Sequence, residues 1–456
     1  MKKLLAIILC LAMVFTLAAC GGNTGEPAGG EAPAGTNDGG ENQPSGDTNG
    51  GTNDGGNQPS GGSSSSGLSV SAVSSSGYAS EVFAADMVYA KSGGVSALND
   101  LSNTYYKLTK EKKLKIGYIG GSVTDGTGGT NGYCWAKGVT DWFKEKYPDA
   151  EITDTNNGWG NKSSLWGFYR ADGDNDWGRS SHDMTLITAK PDLVFLEFAI
   201  NDLYVRMSDF TTIHYVEGLI NKIRKALPET DIVLILITDK SYIGKEDFKP
   251  AAAQRKLAEF YGIPVIDVGA AMNEYIKSTG IAFDKLYADT VHPNNDGYKV
   301  YADAITKHLE GVFSKCNATA VKPCEMPKTY YVSGGISESK IYTATDLKEF
   351  CDISDWTVLD SPSNQVNCFG PSLYGLDGAK LSFDMEGTGL CLMIDAKQGS
   401  AVKCVIDGKE SVAVSVLSNI HAEMLVVNNL APGKHKIELT VASGQRFIIG
   451  AVMVER

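Results

Sequence analysis

The sequence predicts an α/β fold, a doubly wound parallel sheet of five strands, followed by a β-sandwich of jelly-roll type. Three observations predict it. Between Lys113 and about Cys316, short apolar runs alternate with helix-length stretches, and such alternation implies parallel strands joined by right-handed crossovers. One of those runs, Asp231 to Ile237, is apolar almost throughout, as expected of a strand whose sheet is covered by helices on both faces. From Tyr342 to Arg456 the texture changes to short alternating strands punctuated by turn signals, which suits two packed antiparallel sheets.

The elements follow in order. Leu114 to Ile119 reads as the first strand, and Trp135 to Tyr147 as an amphipathic helix stopped by Pro148. Ala150 to Asp154 is the second strand, and Asp192 to Phe198, after Pro191, the third. Ile213, Val216, Leu219, Ile220 and Ile223 recur at helical spacing. Asp231 to Ile237 is the fourth strand, 248–262 a helix, Pro264 to Asp267 the fifth strand, and Asn295 to Phe313 the closing helix. Ligands of such a sheet bind at the carboxyl ends of its strands. In the later region the predicted strands are Lys380 to Met385, Gly389 to Ile394, Val402 to Ile406, Ser411 to Val416, Met424 to Val427, His435 to Val441 and Arg446 to Val454. Asp407-Gly408 reads as a tight hairpin turn and Pro432-Gly433 as another turn.

The amino-terminal residues carry a different message. Lys2 and Lys3 precede a mostly apolar stretch, and Leu17-Ala18-Ala19-Cys20 resembles a bacterial lipobox, which would lipidate Cys20 and anchor the chain on the extracellular face of the cell membrane. An ordinary secretory leader or an uncleaved anchor is the competing reading, and each places the rest outside the cytoplasm. Residues 21–67 are rich in Gly, Asn, Ser, Asp and Pro and nearly free of apolar side chains. They predict a disordered spacer with an average span of about 35–40 Å. The expected organisation is therefore a signal over 1–20, a linker over 21–67, a first domain with its lead-in over 68–320, and a sandwich over 325–456.

Without Lys2 and Lys3 the 41 basic residues become 39 against 54 acidic ones, and the net charge moves from −13 to −15. That balance argues against nucleic acid as a partner and favours uncharged carbohydrate or small esters. Setting aside Cys10 and Cys20, seven cysteines remain, at 134, 316, 324, 351, 368, 391 and 404. Cys316 and Cys324 could close a short loop and Cys391 and Cys404 could lie on neighbouring strands, but none is assigned to a disulfide. No cysteine or histidine spacing suggests zinc, and neither a metal nor an organic cofactor is implied.

Four segments carry chemistry: Gly120-Gly121-Ser122, Asn157-Gly158-Trp159-Gly160, Ala199-Ile200-Asn201-Asp202 and Asp289-Thr290-Val291-His292-Pro293. A serine nucleophile needs a base, a carboxylate to orient that base, and donors for the oxyanion. Ser122 stands where the first strand must turn. Asp289 and His292 are three apart, close enough to present both side chains to one point, and Pro293-Asn294-Asn295 reads as a helix start. The glycine spacing of a dinucleotide loop is missing, as is the G-x-S-x-G elbow of lipase-type α/β-hydrolases.

On these residues the chain resembles the SGNH (GDSL-like) hydrolase superfamily over roughly 113–313. The resemblance implies a flavodoxin-like sheet of order 2-1-3-4-5. It implies Ser122 as nucleophile, His292 as base and Asp289 as its orienter, with the Ser122 N–H, a backbone N–H at Gly160 or Asn161, and the Asn201 carboxamide around the oxyanion. It further implies an esterase acting on small acyl groups, acetyl above all, on carbohydrate. A glycan-binding lipoprotein without catalysis, or a lipase or thioesterase of the same superfamily, is the alternative. Trp159, Trp166, Tyr169 and Trp177 are candidates for stacking on a sugar, with core packing the competing reading, and the loop from Gly126 to Gly132 is expected to be mobile. His182, His214, His308, His421 and His435 have no comparable setting.

Overall fold

The structure is a computed structural model that describes residues 88–172, 185–245, 248–360, 370–396, 400–410, 414–415, 420–442 and 447–456. The leader, Cys20, the spacer, Trp177, His182 and Cys368 lie outside the described residues, as does much of the strand expected over 411–416. Among the described residues no helix is long and apolar enough to cross a membrane.

The first layer system is a five-stranded parallel sheet, β1 (Lys113–Gly120), β2 (Glu151–Gly158), β3 (Leu193–Glu197), β4 (Asp231–Leu236) and β5 (Val265–Asp267), in the order β2-β1-β3-β4-β5. Its strands extend by at most four residues from the sequence expectation. β3 and β4 are buried along their whole length, which is why they read as continuous apolar runs rather than alternating ones. The helices of this part are α1 (Ser102–Tyr106), α2 (Ser122–Asp125), α3 (Trp135–Lys146), α4 (Ser164–Arg170), α5 (Leu186–Ala189), α6 (Ala199–Tyr204), α7 (Asp209–Ala226), α8 (Lys249–Tyr261), α9 (Val268–Thr279) and α10 (Asn295–Phe313). The lead-in, whose role the sequence does not disclose, fastens the amino end of the sheet. Thr104 donates through both its backbone N–H and its hydroxyl, each at 2.7 Å, to the buried carboxylate of Asp231 at the start of β4.

The second system is antiparallel. Strands β6 (Ser339–Thr343), β7 (Thr357–Leu359), β8 (Ser372–Gly375), β10 (Gly389–Ala396), β14 (Ile420–Val427) and β16 (Phe447–Glu455) form one sheet. The other holds β9 (Lys380–Glu386), β11 (Ala401–Ile406), β12 (Lys409–Glu410), β13 (Val414–Ser415) and β15 (Lys434–Val441). α11 (Ala344–Phe350) carries a capping box between Thr343 and Asp346, which satisfies backbone donors that a helix start leaves orphaned. Leu381, Phe383, Met385, Leu392, Cys404, Leu439 and Ile449 share the core between the sheets, so this is the expected sandwich. Asp407 and Gly408 take φ of 52° and 76° between paired Ile406 and Lys409, the geometry of a two-residue primed hairpin turn.

The two sheets differ in how they are covered, and the sequence records it. β9 alternates exposed and buried along KLSFDME, with one face in water. Every residue of β16 is buried. Phe447, Ile449, Val452 and Val454 enter the sandwich core, whereas Ile448, Ala451 and Met453 join the core of the parallel-sheet part. The first sandwich sheet is thus buried on both faces, one of them against the α/β layers. Cys391 and Cys404 are not on neighbouring strands as the sequence had suggested. They lie in different sheets, on β10 and β11, with Cys391 in the α/β core and Cys404 in the sandwich core. The cysteines at 134, 316, 324, 351, 391 and 404 are free thiols.

Candidate active site

β1 ends at Gly120, and the chain turns through Gly121 directly into α2, which begins at Ser122. A side chain at Gly121 would place its Cβ 2.0 Å from Asn201 Oδ1 and 2.7 Å from its Cγ. Glycine is therefore what lets the Asn201 carboxamide lie against the nucleophile turn. Asn201 sits in α6, just past β3, and is 5% exposed. β3 neighbours β1, so both elements deliver their residues to the same carboxyl edge of the sheet.

The second segment approaches from β2. Trp159 N donates to Gly120 O at 3.0 Å, and a Cβ on Gly160 would stand 3.8 Å from the Ser122 Cβ. Asn161, the other candidate, is exposed and takes φ of 59°. Gly160 thus stands beside Ser122.

The last segment closes the site. His292 Nε2 lies 2.7 Å from Ser122 Oγ, and His292 Nδ1 lies 2.6 Å from Asp289 Oδ2. Asp289 Oδ1 accepts from the backbone N–H groups of Val291 and His292, both at 2.8 Å. Although partial burial opposes it, these donors and the His292 ring hold the Asp289 carboxyl below its ordinary range. Asn294 caps α10 through Gly297 N at 3.1 Å, which fixes the turn that carries His292. A carboxylate–imidazole–hydroxyl line of this geometry can move a proton from the hydroxyl to the ring while keeping the ring's tautomer fixed.

Several expectations about the surroundings change. The Gly126–Gly132 loop is tied down: Thr130 N donates to Asn295 Oδ1 at 2.8 Å, and Tyr298 Oη donates to Thr127 O at 2.6 Å. Gly128, at φ of 91°, packs where a Cβ would meet His292 Cβ at 2.9 Å. Trp166 and Tyr169 are buried in α4 and cannot meet a sugar. Trp159 is half-buried, with the Arg170 guanidinium 4.8 Å from its ring centroid. His435 has a setting after all, with Asp407 Oδ2 at 2.7 Å from Nδ1 and Ala431 O at 2.7 Å from Nε2. Both of its nitrogens are engaged and neither partner is a nucleophile, so it is a structural histidine. His214 is buried with Nε2 3.1 Å from Glu455 Oε1, His308 is half-buried with its pKa lowered by that burial, and no side chain is described for His421.

Three residues near the site were given no role by the sequence. Glu197, the last residue of β3, is fully buried and accepts from Thr124 Oγ1 at 2.8 Å beneath the nucleophile turn. Burial pushes its pKa to about 8, against the pull of hydrogen bonds from Thr124 and Gly121, with Asp202 adding a further rise. Asp202 is also pushed up by burial, to about 7, and its oxygens accept from Ser164 N at 2.8 Å and Gln254 Nε2 at 3.0 Å. Tyr204, at the end of α6, is 47% exposed. Its hydroxyl donates to the buried Asp239 at 2.6 Å, and burial and then Asp239 raise its pKa, with Asp289 close enough to contribute. With its hydroxyl held by Asp239, Tyr204 is a half-exposed aromatic residue within electrostatic range of Asp289. No signal in an isolated Tyr marks it. A groove of about 810 Å³, lined by Leu98, Ile266, His308 and Cys316 among others, contains none of the site residues. Among the described residues no group of His, Cys, Asp and Glu could hold a metal ion.

Residues 118–300 match the model of the GDSL-like Lipase/Acylhydrolase family. The chain carries a GDSL-like acylhydrolase domain. No curated protein matches the chain. Among solved structures, a two-domain esterase (CEX) active on acetylated mannans is similar with a TM-score of 0.65 at 19% identity, covering 80% of this chain and 97% of its own. Its structure co-crystallized with mannopentaose gives 0.64 at 19% identity, over 80% and 96%. Axe2, an acetylxylan esterase from Geobacillus stearothermophilus, gives 0.34 at 20% identity, over 43% and 94%. The likeness to the two-domain esterase speaks for the fold: the acylhydrolase domain and the antiparallel sheets after it recur together. The acylhydrolase domain is an SGNH-type ester hydrolase.

Proposed function

We propose that the protein is a serine esterase that removes small acyl groups, acetyl above all, from carbohydrate, and that a lipid on Cys20 holds it at the extracellular face of a bacterial membrane. The observation that carries the chemistry is the line of contacts Ser122 Oγ–His292 Nε2 at 2.7 Å and His292 Nδ1–Asp289 Oδ2 at 2.6 Å. His292 takes the Ser122 proton as Oγ attacks the ester carbonyl carbon, and the carbonyl π electrons move onto oxygen. That oxyanion is met by the Ser122 N–H, the Gly160 N–H and the Asn201 carboxamide. Collapse breaks the bond to the sugar oxygen, which leaves with the proton from His292. Water then repeats the sequence on the acyl-enzyme, its proton going to His292 and the acid leaving Ser122. Asp289 keeps Nδ1 engaged throughout.

Carbohydrate is favoured as the alcohol by three features. They are the net charge of −15 after the leader, the half-exposed Tyr204 within electrostatic range of Asp289, and a fold shared with an esterase active on acetylated mannans. Anchoring is favoured by the LAAC motif and the spacer behind it. Acetate release from acetylated mannan, acetylated xylan, acetylated peptidoglycan and an aryl acetate tests the reading. Release from an acetylated glycan by the wild type, lost in Ser122→Ala, is expected. Inertness toward all four, or equal release by Ser122→Ala, would overturn it.

A further inference from the structure

We infer that the sandwich positions the Gly160 loop of the acylhydrolase domain through an ion pair between Glu423 and Lys162, which makes these two residues positioning residues for the proposed acyl transfer. The segment from Trp159 to Ser164 carries the Gly160 N–H. It is fastened at its start by Trp159 N on Gly120 O (3.0 Å) and at its end by Ser164 N on Asp202 Oδ1 (2.8 Å). Between these points the chain passes through Asn161 in the left-handed region at φ of 59°. The next side chain, Lys162, turns inward and is 6% exposed. Its ammonium lies 3.3 Å from Glu423 Oε1, and 5.8 and 5.5 Å from the ring centroids of Trp159 and Trp166.

Glu423 belongs to β14, and the alternation of that strand decides where it points. Met424 and Val426 enter the sandwich core, while Leu425 joins the core of the acylhydrolase domain. Glu423 shares the Leu425 face and is fully buried. A lysine beside a surface loop ordinarily keeps its charge in water. Burying it two residues from Gly160 is costly unless the partner charge is held in place, and here that partner sits on β14, paired to β10 at the edge of the sheet that is buried on both faces. The loop is therefore braced from outside its own domain. Without the brace the Lys162 ammonium regains water, and the turn that holds Gly160 shifts with it. A misplacement of about 1 Å at such a donor costs about a hundredfold in rate.

Because the inference rests on the esterase reading of Ser122, the test carries a control for that reading. In the full chain, kcat and KM on an aryl acetate and the inhibition constant of phenylboronic acid are measured together. Boron bound to Ser122 Oγ places a tetrahedral oxygen where the oxyanion forms. Glu423→Gln is expected to lower kcat/KM by about tenfold to a hundredfold through kcat and to weaken boronate binding in parallel. Glu423→Asp, which keeps the charge, stays within about threefold of the wild type, as does Leu425→Ala, which loosens the same interface without touching Lys162. Should Glu423→Gln not fold, Lys162→Ser with Glu423→Gln leaves no charge buried and no side chain long enough to hold the loop against β14, and the same kinetic losses are expected of it. Unchanged boronate affinity in the folded Glu423 variant, or an equal loss in Leu425→Ala, overturns the inference. Turnover by Ser122→Ala overturns the esterase reading instead.

Discussion

Gly121 has no room for a side chain, because the Asn201 carboxamide occupies the place where a Cβ would stand. Gly121→Ala should therefore push Asn201 away and cost about as much as Asn201→Ala, on the order of 10²- to 10³-fold in kcat. The double variant should lose little more, since both remove one donor. Additive losses in steady-state kinetics would contradict this. Tyr204 makes a different prediction. Tyr204→Ala should raise KM for an acetylated oligosaccharide up to about tenfold and leave an aryl acetate unaffected, whereas Tyr204→Phe keeps the stacking face. Equal KM changes on both substrates would remove the ring from sugar recognition. At this scale the sequence marked Ser122, Asn201, Asp289 and His292, which the structure brings together, because the first two lie in short motifs just past strands and the last two in one just before a helix. It did not disclose Glu197, Tyr204 or Asp239, whose settings arise from contacts between segments far apart in the chain. It left open whether Trp166 and Tyr169 face a sugar or the core, since an aromatic cluster beside a loop looks the same whether it packs inward or outward.

The elements were legible to the degree that they are long and periodic. All five parallel strands and the helices α3, α7, α8 and α10 follow from apolar spacing. The four-residue α2 and six-residue α6 are too short for any period to show, although they present Ser122 and Asn201. Their junction with β3 holds two buried carboxyls, and these set a pH dependence. Glu197 is raised from 4.5 to about 8 and Asp202 from 3.8 to about 7. A carboxyl whose folded pKa lies above its unfolded one favours the folded state in its protonated form. That stabilisation is complete below the unfolded values and is lost as pH rises through about 7 to 8. The melting temperature should fall over about pH 5 to 8, and Glu197→Gln, which cannot ionise, should fall less steeply. An identical slope in calorimetry would mean that Glu197 does not titrate in this range.

The described residues are built around a sheet with two buried faces. The apolar run Phe447 to Val454 enters the sandwich core with alternate residues and the acylhydrolase core with the others. The sequence marked the passage from parallel to antiparallel sheets by a change of texture, but not that the two parts share a wall, because a strand's pattern says whether a face is buried and never against what. Truncation after residue 338 should expose the acylhydrolase surface that Cys391, Met393, Leu425 and Met453 cover. The remainder should aggregate in size-exclusion chromatography, and a stable, fully active monomer would contradict a shared core. Lys222 adds to the same seam: buried, it donates to Phe168 O in its own domain at 2.8 Å and to Ser339 Oγ at the start of β6. The account as a whole stands on Ser122 being the group that attacks. Peptide mass mapping after reaction with a fluorophosphonate should place one adduct on Ser122 in the wild type and none in Ser122→Ala, with labelling of His292→Ala slowed by several powers of ten. An adduct elsewhere, or no adduct at all in the folded wild type, would contradict it.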